Sequence, residues 1–182
     1  MGIDSFAPTP RAATPTLAAR GPSDDIVAIA RSWIGTPYVH QASVQGAGSD
    51  CLGLLRGVWR ELHGEEPETV PPYSPDWAEA SGEETLYRAL AHHLTEIEPA
   101  ALAPGDIALF RMTRTGPAKH CGIVAQRLSG ATASLLERNP LGATASLHER
   151  RLTLIHARQN KRVSEEAFTE FWRRKLAYAF RI

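Results

Sequence analysis

Cys51, His120 and His156 are the residues of this sequence whose types and order could carry out nucleophilic catalysis. A cysteine thiolate attacks a carbonyl carbon when a histidine takes the thiol proton and a third polar group orients that histidine's ring. Here the first histidine follows the cysteine by about 70 residues, so only folding could bring the two together. Because most proteins contain both residue types, the surrounding sequence must decide whether the pair is a site.

Cys51 stands where a polar, glycine-rich loop changes into a segment with helical periodicity. Leu55 and Val58 follow it at helical spacing, and His63-Gly64 has the composition of a helix C-terminus. The sequence therefore predicts a buried helix with Cys51 in its first turn. Unpaired N–H groups and the positive end of the helix dipole lie there, and both favour a thiolate.

The histidines lie in two apolar segments that are typical of buried strands. Strand alternation sends His120 and the adjacent Cys121 to opposite faces of a sheet. If His120 faces Cys51, then Cys121 points into the opposite layer. This argues against a disulfide between the two cysteines and makes Cys121 a small core residue.

Composition excludes several classes of partner and site. The 182 residues are 43% hydrophobic, and 20 basic residues balance 20 acidic ones, so neither nucleic acid nor a membrane is expected as the main partner. No apolar run approaches the ~20 residues of a membrane-spanning helix, and the first 20 residues lack the apolar core of a secretory signal. Two distant cysteines form no zinc pattern, and a zinc site built from scattered histidines lacks a motif.

The chain divides into a proline-containing arm over residues 1–22 and one domain over residues 23–182. The arm is expected to be flexible, with docking to an assembly partner as the alternative. The predicted helices are one capped by Ser23, one opened by a Ser81–Glu84 capping box and a last one capped by Ser164. Strands are predicted at 107–110, 120–125, 152–157 and 176–182. A loop at 65–80 can line a groove, and the repeat at 130–150 is an expanded hairpin or two successive strands.

Five short motifs occur in a fixed order along the domain. They are Ile34-Gly35-Thr36-Pro37-Tyr38, Asp50-Cys51-Leu52-Gly53-Leu54, Leu102-Ala103-Pro104-Gly105-Asp106, His120-Cys121-Gly122-Ile123-Val124 and Ile155-His156-Ala157. Together they resemble the NlpC-type family of bacterial cell-wall cysteine peptidases over about residues 24–182. The run from Trp33 to Trp77 and the end from Trp172 to Arg181 resemble the phage-tail and gene-transfer-agent subgroup of that family.

The resemblance implies a papain-like α+β fold, with the cysteine helix packed against a central antiparallel sheet. It implies hydrolysis of peptidoglycan stem peptides, typically at the γ-D-glutamyl–diamino acid bond. Cys51 would be the nucleophile, His120 the general base and His156 the orienting residue. Tyr38 would stand near the oxyanion, although a packed turn aromatic is the alternative. Asp50 would either hold the free amine of the substrate or cap the helix.

The resemblance also implies that no metal or cofactor takes part, and it suggests partners. Delivery on a particle assembled in the cytoplasm fits the expected lack of a signal peptide. The expected docking partners are phage-tail or gene-transfer-agent baseplate or hub proteins, and the expected place of action is the cell wall. Leu52 stands where many members have serine, and Cys121 where valine is usual. The alternatives are an amidase or acyltransferase on the same fold, and an inactive structural tail component.

Overall fold

The computed structural model describes residues 21–74, 82–127 and 151–182. Residues 1–20 of the predicted arm and the whole repeat at 130–150 lie outside the described residues. The helices are α1 (Pro22–Ser32), α2 (Cys51–His63), α3 (Thr85–His93) and α4 (Glu170–Lys175), with a 3-10 turn at Pro99–Ala101. The strands are β1 (Ser43–Val44), β2 (Gly48–Ser49), β3 (Thr95–Ile97), β4 (Ile107–Phe110), β5 (His120–Arg127), β6 (Arg151–His156), β7 (Ser164–Ala167) and β8 (Leu176–Arg181).

A six-stranded sheet in the order β3-β8-β4-β5-β6-β7 forms the centre of the described part of the chain. Every neighbouring pair in it is antiparallel. One face packs against α1, α2 and α3, and the other packs against α4 and the residues before it. The predicted α+β fold, with the cysteine helix on an antiparallel sheet, is confirmed.

Alternation along β5 explains how the sheet separates two apolar layers. Ile123 and Ala125 belong to the layer under α1 and α2, whereas Val124 belongs to the layer under α4. All three side chains are buried, so β5 is covered on both faces. A strand covered on both faces holds its end residues in a fixed direction, which matters for His120 at its start.

α2 packs closely against α1 because it presents glycine at the crossing. A Cβ atom at Gly57 would lie 2.0 Å from the ring of Trp33, which ends α1 and is 2% exposed. The indole N–H of Trp33 donates to Glu61 Oε1 at 2.9 Å, so the ring is held at both its apolar and its polar edge. The contact sets the distance of the cysteine helix from the rest of the helical layer.

Two predicted helix starts are wrong in detail. α1 begins at Pro22 with Gly21 as the N-cap, because proline at the first helical position needs no N–H partner, and Ser23 already lies inside the helix. α3 begins after Glu84, whose carboxylate accepts from the Ala118 N–H at 2.9 Å instead of closing a capping box. Ser81, the other half of that predicted box, lies outside the described residues.

The predicted helix from Ser164 is also wrong, since Ser164–Ala167 forms the edge strand β7. It pairs with β6 through Leu154 opposite Glu166 and His156 opposite Ser164. The helix α4 starts only at Glu170, after Thr169. Sheet pairing at the free edge of β6 overrides the local preference of Ser-Glu-Glu-Ala for a helix, which is a tertiary effect that the local sequence does not contain.

Candidate active site

Cys51 is the first residue of α2, and Asp50 before it is the N-cap. Asp50 Oδ1 accepts the Gly53 N–H at 2.7 Å, which fixes the first turn. The Cys51 side chain is half-buried, and its Sγ lies 3.9 Å from the carbonyl oxygen of Lys119, the residue that precedes β5. The thiol therefore lies at the start of β5, where the first histidine is found.

His120 opens β5, and its ring connects Cys51 to His156. His120 Nε2 lies 2.8 Å from His156 Nδ1, a hydrogen-bond distance. His156 ends β6 and is fully buried. The His120 ring also stacks on Trp172 of α4, with 5.6 Å between the ring centroids and 28° between the planes. Two strand ends and one helix therefore orient the imidazole.

A cavity of about 410 Å³ exposes this arrangement to solvent. It is lined by Tyr38, His40, Asp50, Cys51, Tyr73, Ser74, Met112, Lys119, His120, Ala157, Arg158, Gln159, Phe171 and Trp172. His156 lies behind His120 and is shielded from the cavity. Of the five site residues predicted from the sequence, the structure thus places four in the wall of one cavity and the fifth directly behind it.

The electrostatic surroundings favour a thiolate at Cys51. The neighbouring Cys121 thiol, as a hydrogen-bond donor, is the largest influence that lowers the pKa of Cys51. A hydrogen bond with His120 and the positive charge of that ring lower the pKa further, against the opposing effect of burial. The net result is a pKa well below that of a free thiol, and the helix N-terminus acts in the same direction.

Cys121 lies on the same side of the sheet as α2, so its predicted place in the opposite layer is wrong. Its Sγ lies 3.4 Å from the Cys51 carbonyl oxygen, and its side chain is buried in the core with Leu54 and Ile123. His120 and Cys121 do point to opposite faces, but Cys51 lies over the end of β5 and can contact both. Both cysteines are free thiols, and Cys121 is a small core residue as predicted.

Asp50 has a second structural role beside capping the helix. Its other oxygen, Oδ2, accepts from the Gln41 N–H at 2.7 Å and from the Tyr73 hydroxyl at 2.6 Å, and His40 Nδ1 lies 3.5 Å from it. The Asp50 side chain is 3% exposed. The carboxylate thus ties the loop that carries Tyr73 to the cysteine helix, and of its two predicted roles the structure contains the cap.

Tyr38 lies in the cavity wall beside Asp50 and Cys51. Burial, together with the negative charges of Asp50 and Cys51, raises the pKa of its hydroxyl, so the phenol stays protonated and able to donate. The backbone of Tyr38 is held by its N–H, which donates to the Lys161 carbonyl oxygen at 3.1 Å. A protonated hydroxyl next to the thiol is suited to bind an oxyanion.

His156 is expected to make the folded protein sensitive to mild acid. Burial, followed by the positive charges of His120, Arg158 and Lys161, lowers its pKa to about 3, while the Cys51 thiolate acts in the opposite sense. Since the unfolded chain binds a proton at a pKa near 6.5 and the folded chain does not, stability falls as the pH drops below that value. Between pH 7 and pH 5 the loss from this residue is about 2 kcal/mol.

Urea unfolding of the wild type and of His156→Gln at the two pH values measures this effect. The wild type should lose about 2 kcal/mol more than the variant, because glutamine does not titrate. Comparing each protein with itself removes the offset that the substitution causes at pH 7. Equal losses in the two proteins would mean that His156 accepts a proton without strain in the fold.

The described residues contain no cluster of three or more histidine, cysteine, aspartate or glutamate side chains that could hold a metal ion. His120 and His156 contact each other, and His120 also contacts the Cys51 thiol. In the same part of the chain, no helix has the length and apolar character needed to cross a membrane.

Comparisons with known proteins agree with this geometry. Solved structures of an NlpC/P60 family protein from Bacillus cereus and of a lipoprotein-like NLP/P60 family protein from Staphylococcus aureus superpose with TM-scores of 0.53 and 0.52. They are 18% and 16% identical, and the matches cover 88% and 93% of this chain but 40% and 45% of those proteins. The chain has the NlpC/p60 fold.

NlpC1 of Trichomonas vaginalis also superposes on this chain, with a TM-score of 0.51 at 16% identity, over 90% of this chain and 45% of that one. In sequence, the domain is 30% identical over 100 residues to the γ-DL-glutamyl hydrolase of Bacillus subtilis. That match spans 55% of this chain and only 20% of the hydrolase. No protein-family model matches the chain.

The sequence alone did not identify Tyr73, Trp172 and Glu166 as parts of the site. Tyr73 bonds Asp50, Trp172 stacks on His120, and Glu166 lies beside His156. Tyr73 was predicted only within a loop that could line a groove, and it does line the cavity. Glu166 had no usable signal, because its segment was assigned to a helix instead of a strand next to β6.

Proposed function

We propose that this NlpC/p60 domain is a cysteine endopeptidase that hydrolyses peptidoglycan stem peptides, most specifically at the γ-D-glutamyl–diamino acid bond. The observation that carries the proposal is that Cys51 and His120 lie in the wall of one cavity with His156 directly behind His120, and that the thiol is at a helix N-terminus. The sequence similarity to a γ-DL-glutamyl hydrolase supports the choice of bond.

The chemistry uses Cys51 and His120 as a thiolate–imidazolium pair. The thiolate attacks the amide carbonyl carbon, and the negative charge passes to the carbonyl oxygen. The Cys51 N–H, which has no acceptor within the first turn of α2, and the Tyr38 hydroxyl are the proposed donors to that oxygen. His120 then protonates the leaving amine, and water hydrolyses the thioester to release the carboxylate and restore the thiol.

An amidase or an acyltransferase would use the same residues, so product analysis is the deciding experiment. Purified peptidoglycan is digested with the wild type or with Cys51→Ala, and the fragments are identified by mass spectrometry. New fragments that begin with the diamino acid support the endopeptidase. Release of the intact stem peptide from the lactyl group of the sugar supports the amidase. Identical fragments from both proteins contradict the proposal.

We further propose that the protein acts on the cell wall as part of a phage-tail or gene-transfer-agent particle, docked to baseplate or hub proteins. The support is the resemblance of the segments at 33–77 and 172–181 to that subgroup. Particles purified from producing cells by density gradient should contain the protein in constant proportion to the tail proteins. Its absence from intact particles contradicts this part of the proposal.

A further inference from the structure

Glu166 lies behind His156, on the side away from His120. Its strand β7 pairs with β6 so that Glu166 faces Leu154, two residues before His156 and on the same face of the sheet. Glu166 Oε1 is 3.3 Å from His156 Nε2. That nitrogen is buried and, among the described residues, has no in-line hydrogen-bond partner. The two atoms are thus within ion-pair distance, although they are not aligned as a hydrogen bond.

We propose that Glu166 is a positioning residue whose carboxylate keeps the proton of His156 on Nε2, so that His156 Nδ1 is free to accept a hydrogen bond from His120. The effect on turnover rests on the function proposed above. The effect on the tautomer does not, since it concerns a histidine pair present in the resting protein.

The tautomer of His156 decides whether His120 can act as a base. A neutral imidazole has one N–H and one bare nitrogen. If Nδ1 of His156 is bare, His120 must donate from Nε2, and its own Nδ1 is then free to take the thiol proton of Cys51. In the opposite tautomer, His156 would donate to His120 Nε2, and the proton of His120 would already lie on the nitrogen that faces the thiol.

The surroundings of His156 keep it neutral, so that the choice between the two tautomers matters. It is fully buried, and burial lowers its pKa to about 3. Without an acceptor at Nε2, a buried N–H there would be left without a partner, and the cost of burying it unpaired would favour the wrong tautomer. The carboxylate of Glu166 removes that cost.

Two other donors hold the carboxylate in this place. The Trp172 indole N–H donates to Glu166 Oε1 at 2.7 Å, and Arg158 Nη1 lies 3.3 Å from the same oxygen. The Trp172 ring also stacks on His120. One side chain of α4 thus fixes both the carboxylate and the imidazole that it serves, as outer partners of a reacting group commonly do.

The first test compares Glu166→Gln with Glu165→Gln, the matched control on the same strand. Glu165 points to the opposite face, where it binds Arg31 and Thr153, so its loss removes an equal charge without touching the histidines. We expect kcat on a stem-peptide substrate to fall on the order of 10- to 100-fold in Glu166→Gln, with KM little changed. Glu165→Gln should keep the wild-type kcat.

The pH profile of Cys51 alkylation separates positioning from a merely structural role. A carboxylate behind His156 stabilises the His120 imidazolium, so its removal should move the alkaline limb of the profile to lower pH. The other groups that face this pair, namely Arg158 and Lys161 after β6 and Cys51 on α2, are unchanged in the variant. An alkaline limb at the same pH in Glu166→Gln and Glu165→Gln overturns the proposal.

The second test needs no variant. Nitrogen-15 NMR of the wild type distinguishes a protonated from a bare imidazole nitrogen, and we expect His156 to carry its proton on Nε2. A proton on Nδ1 overturns the assignment, even if Glu166→Gln fails to fold. If the wild type hydrolyses no peptidoglycan but has the Nε2 tautomer, the proposed function fails while the positioning role of Glu166 stands.

Discussion

Replacing Cys51 with alanine is expected to abolish stem-peptide hydrolysis, with a loss in kcat on the order of 10⁴-fold or more. The reason is that the reaction proceeds through a thioester on this sulfur, which alanine cannot form. The measurement is the rate of fragment release from purified peptidoglycan. Thermal unfolding should change little, because the side chain is small and half-buried.

Alkylation by iodoacetamide provides the control for this result. Cys51 should be alkylated at neutral pH, since its pKa is well below that of a free thiol. The hydrogen bond with Cys51, followed by burial, raises the pKa of Cys121 and keeps that thiol unmodified. His120→Ala should slow alkylation by removing the positive partner. Hydrolysis that persists in Cys51→Ala, or in fully alkylated wild type, would assign the activity to another group.

Gly53→Ala is expected to damage both stability and activity. A Cβ atom there would lie 1.9 Å from the Ala42 carbonyl oxygen and 3.1 Å from Asp50 Oδ1, so backbone must move to make room. The same shift strains the hydrogen bond from the Gly53 N–H to Asp50 that fixes the turn carrying Cys51. We expect a loss of about 1–3 kcal/mol in urea unfolding and a fall in kcat that exceeds the unfolded fraction.

Gly57→Ala is the matched comparison, since it makes the same change in the same helix. Its new methyl group would meet the Trp33 ring at 2.0 Å, on the side of α2 that packs on α1. It should therefore destabilise the protein while leaving kcat per folded molecule near the wild-type value. Equal losses of kcat in the two variants would indicate that movement of the whole helix, and not of its first turn, controls the thiol.

The local motifs, through the family that they resemble, were enough to predict the fold and to select Cys51, His120 and His156 as candidates. A helix start, a buried strand and its terminal histidine are each set by a few neighbouring residues, through capping, periodicity and turn composition. The strand from Ile107 and the closing strand from Leu176 were predicted for the same reason, and both are present. Where backbone preference and burial agree over a short window, a single sequence is enough to assign the helix or strand.

The failures that bear on the site concern contacts between distant segments. The local sequence of β7 predicts a helix, because the segment becomes a strand only through its hydrogen bonds to the edge of β6. Cys121 was placed in the wrong layer because alternation specifies which residues share a face of β5, but not where the N-terminus of α2 lies above that strand. The position of Glu166 beside His156 could not be predicted, because its segment was assigned to a helix instead of a strand next to β6.

The sequence by itself therefore determined which residues can react, because a thiol, an imidazole and a helix N-terminus are local properties of the chain. Only the tertiary structure decided how these groups are aimed. His120 contacts His156 and Tyr73 binds Asp50 across 36 and 23 positions of the chain. Glu166 reaches His156 from the neighbouring strand. Such contacts depend on sheet register and helix packing, which minimise free energy over the whole domain at once.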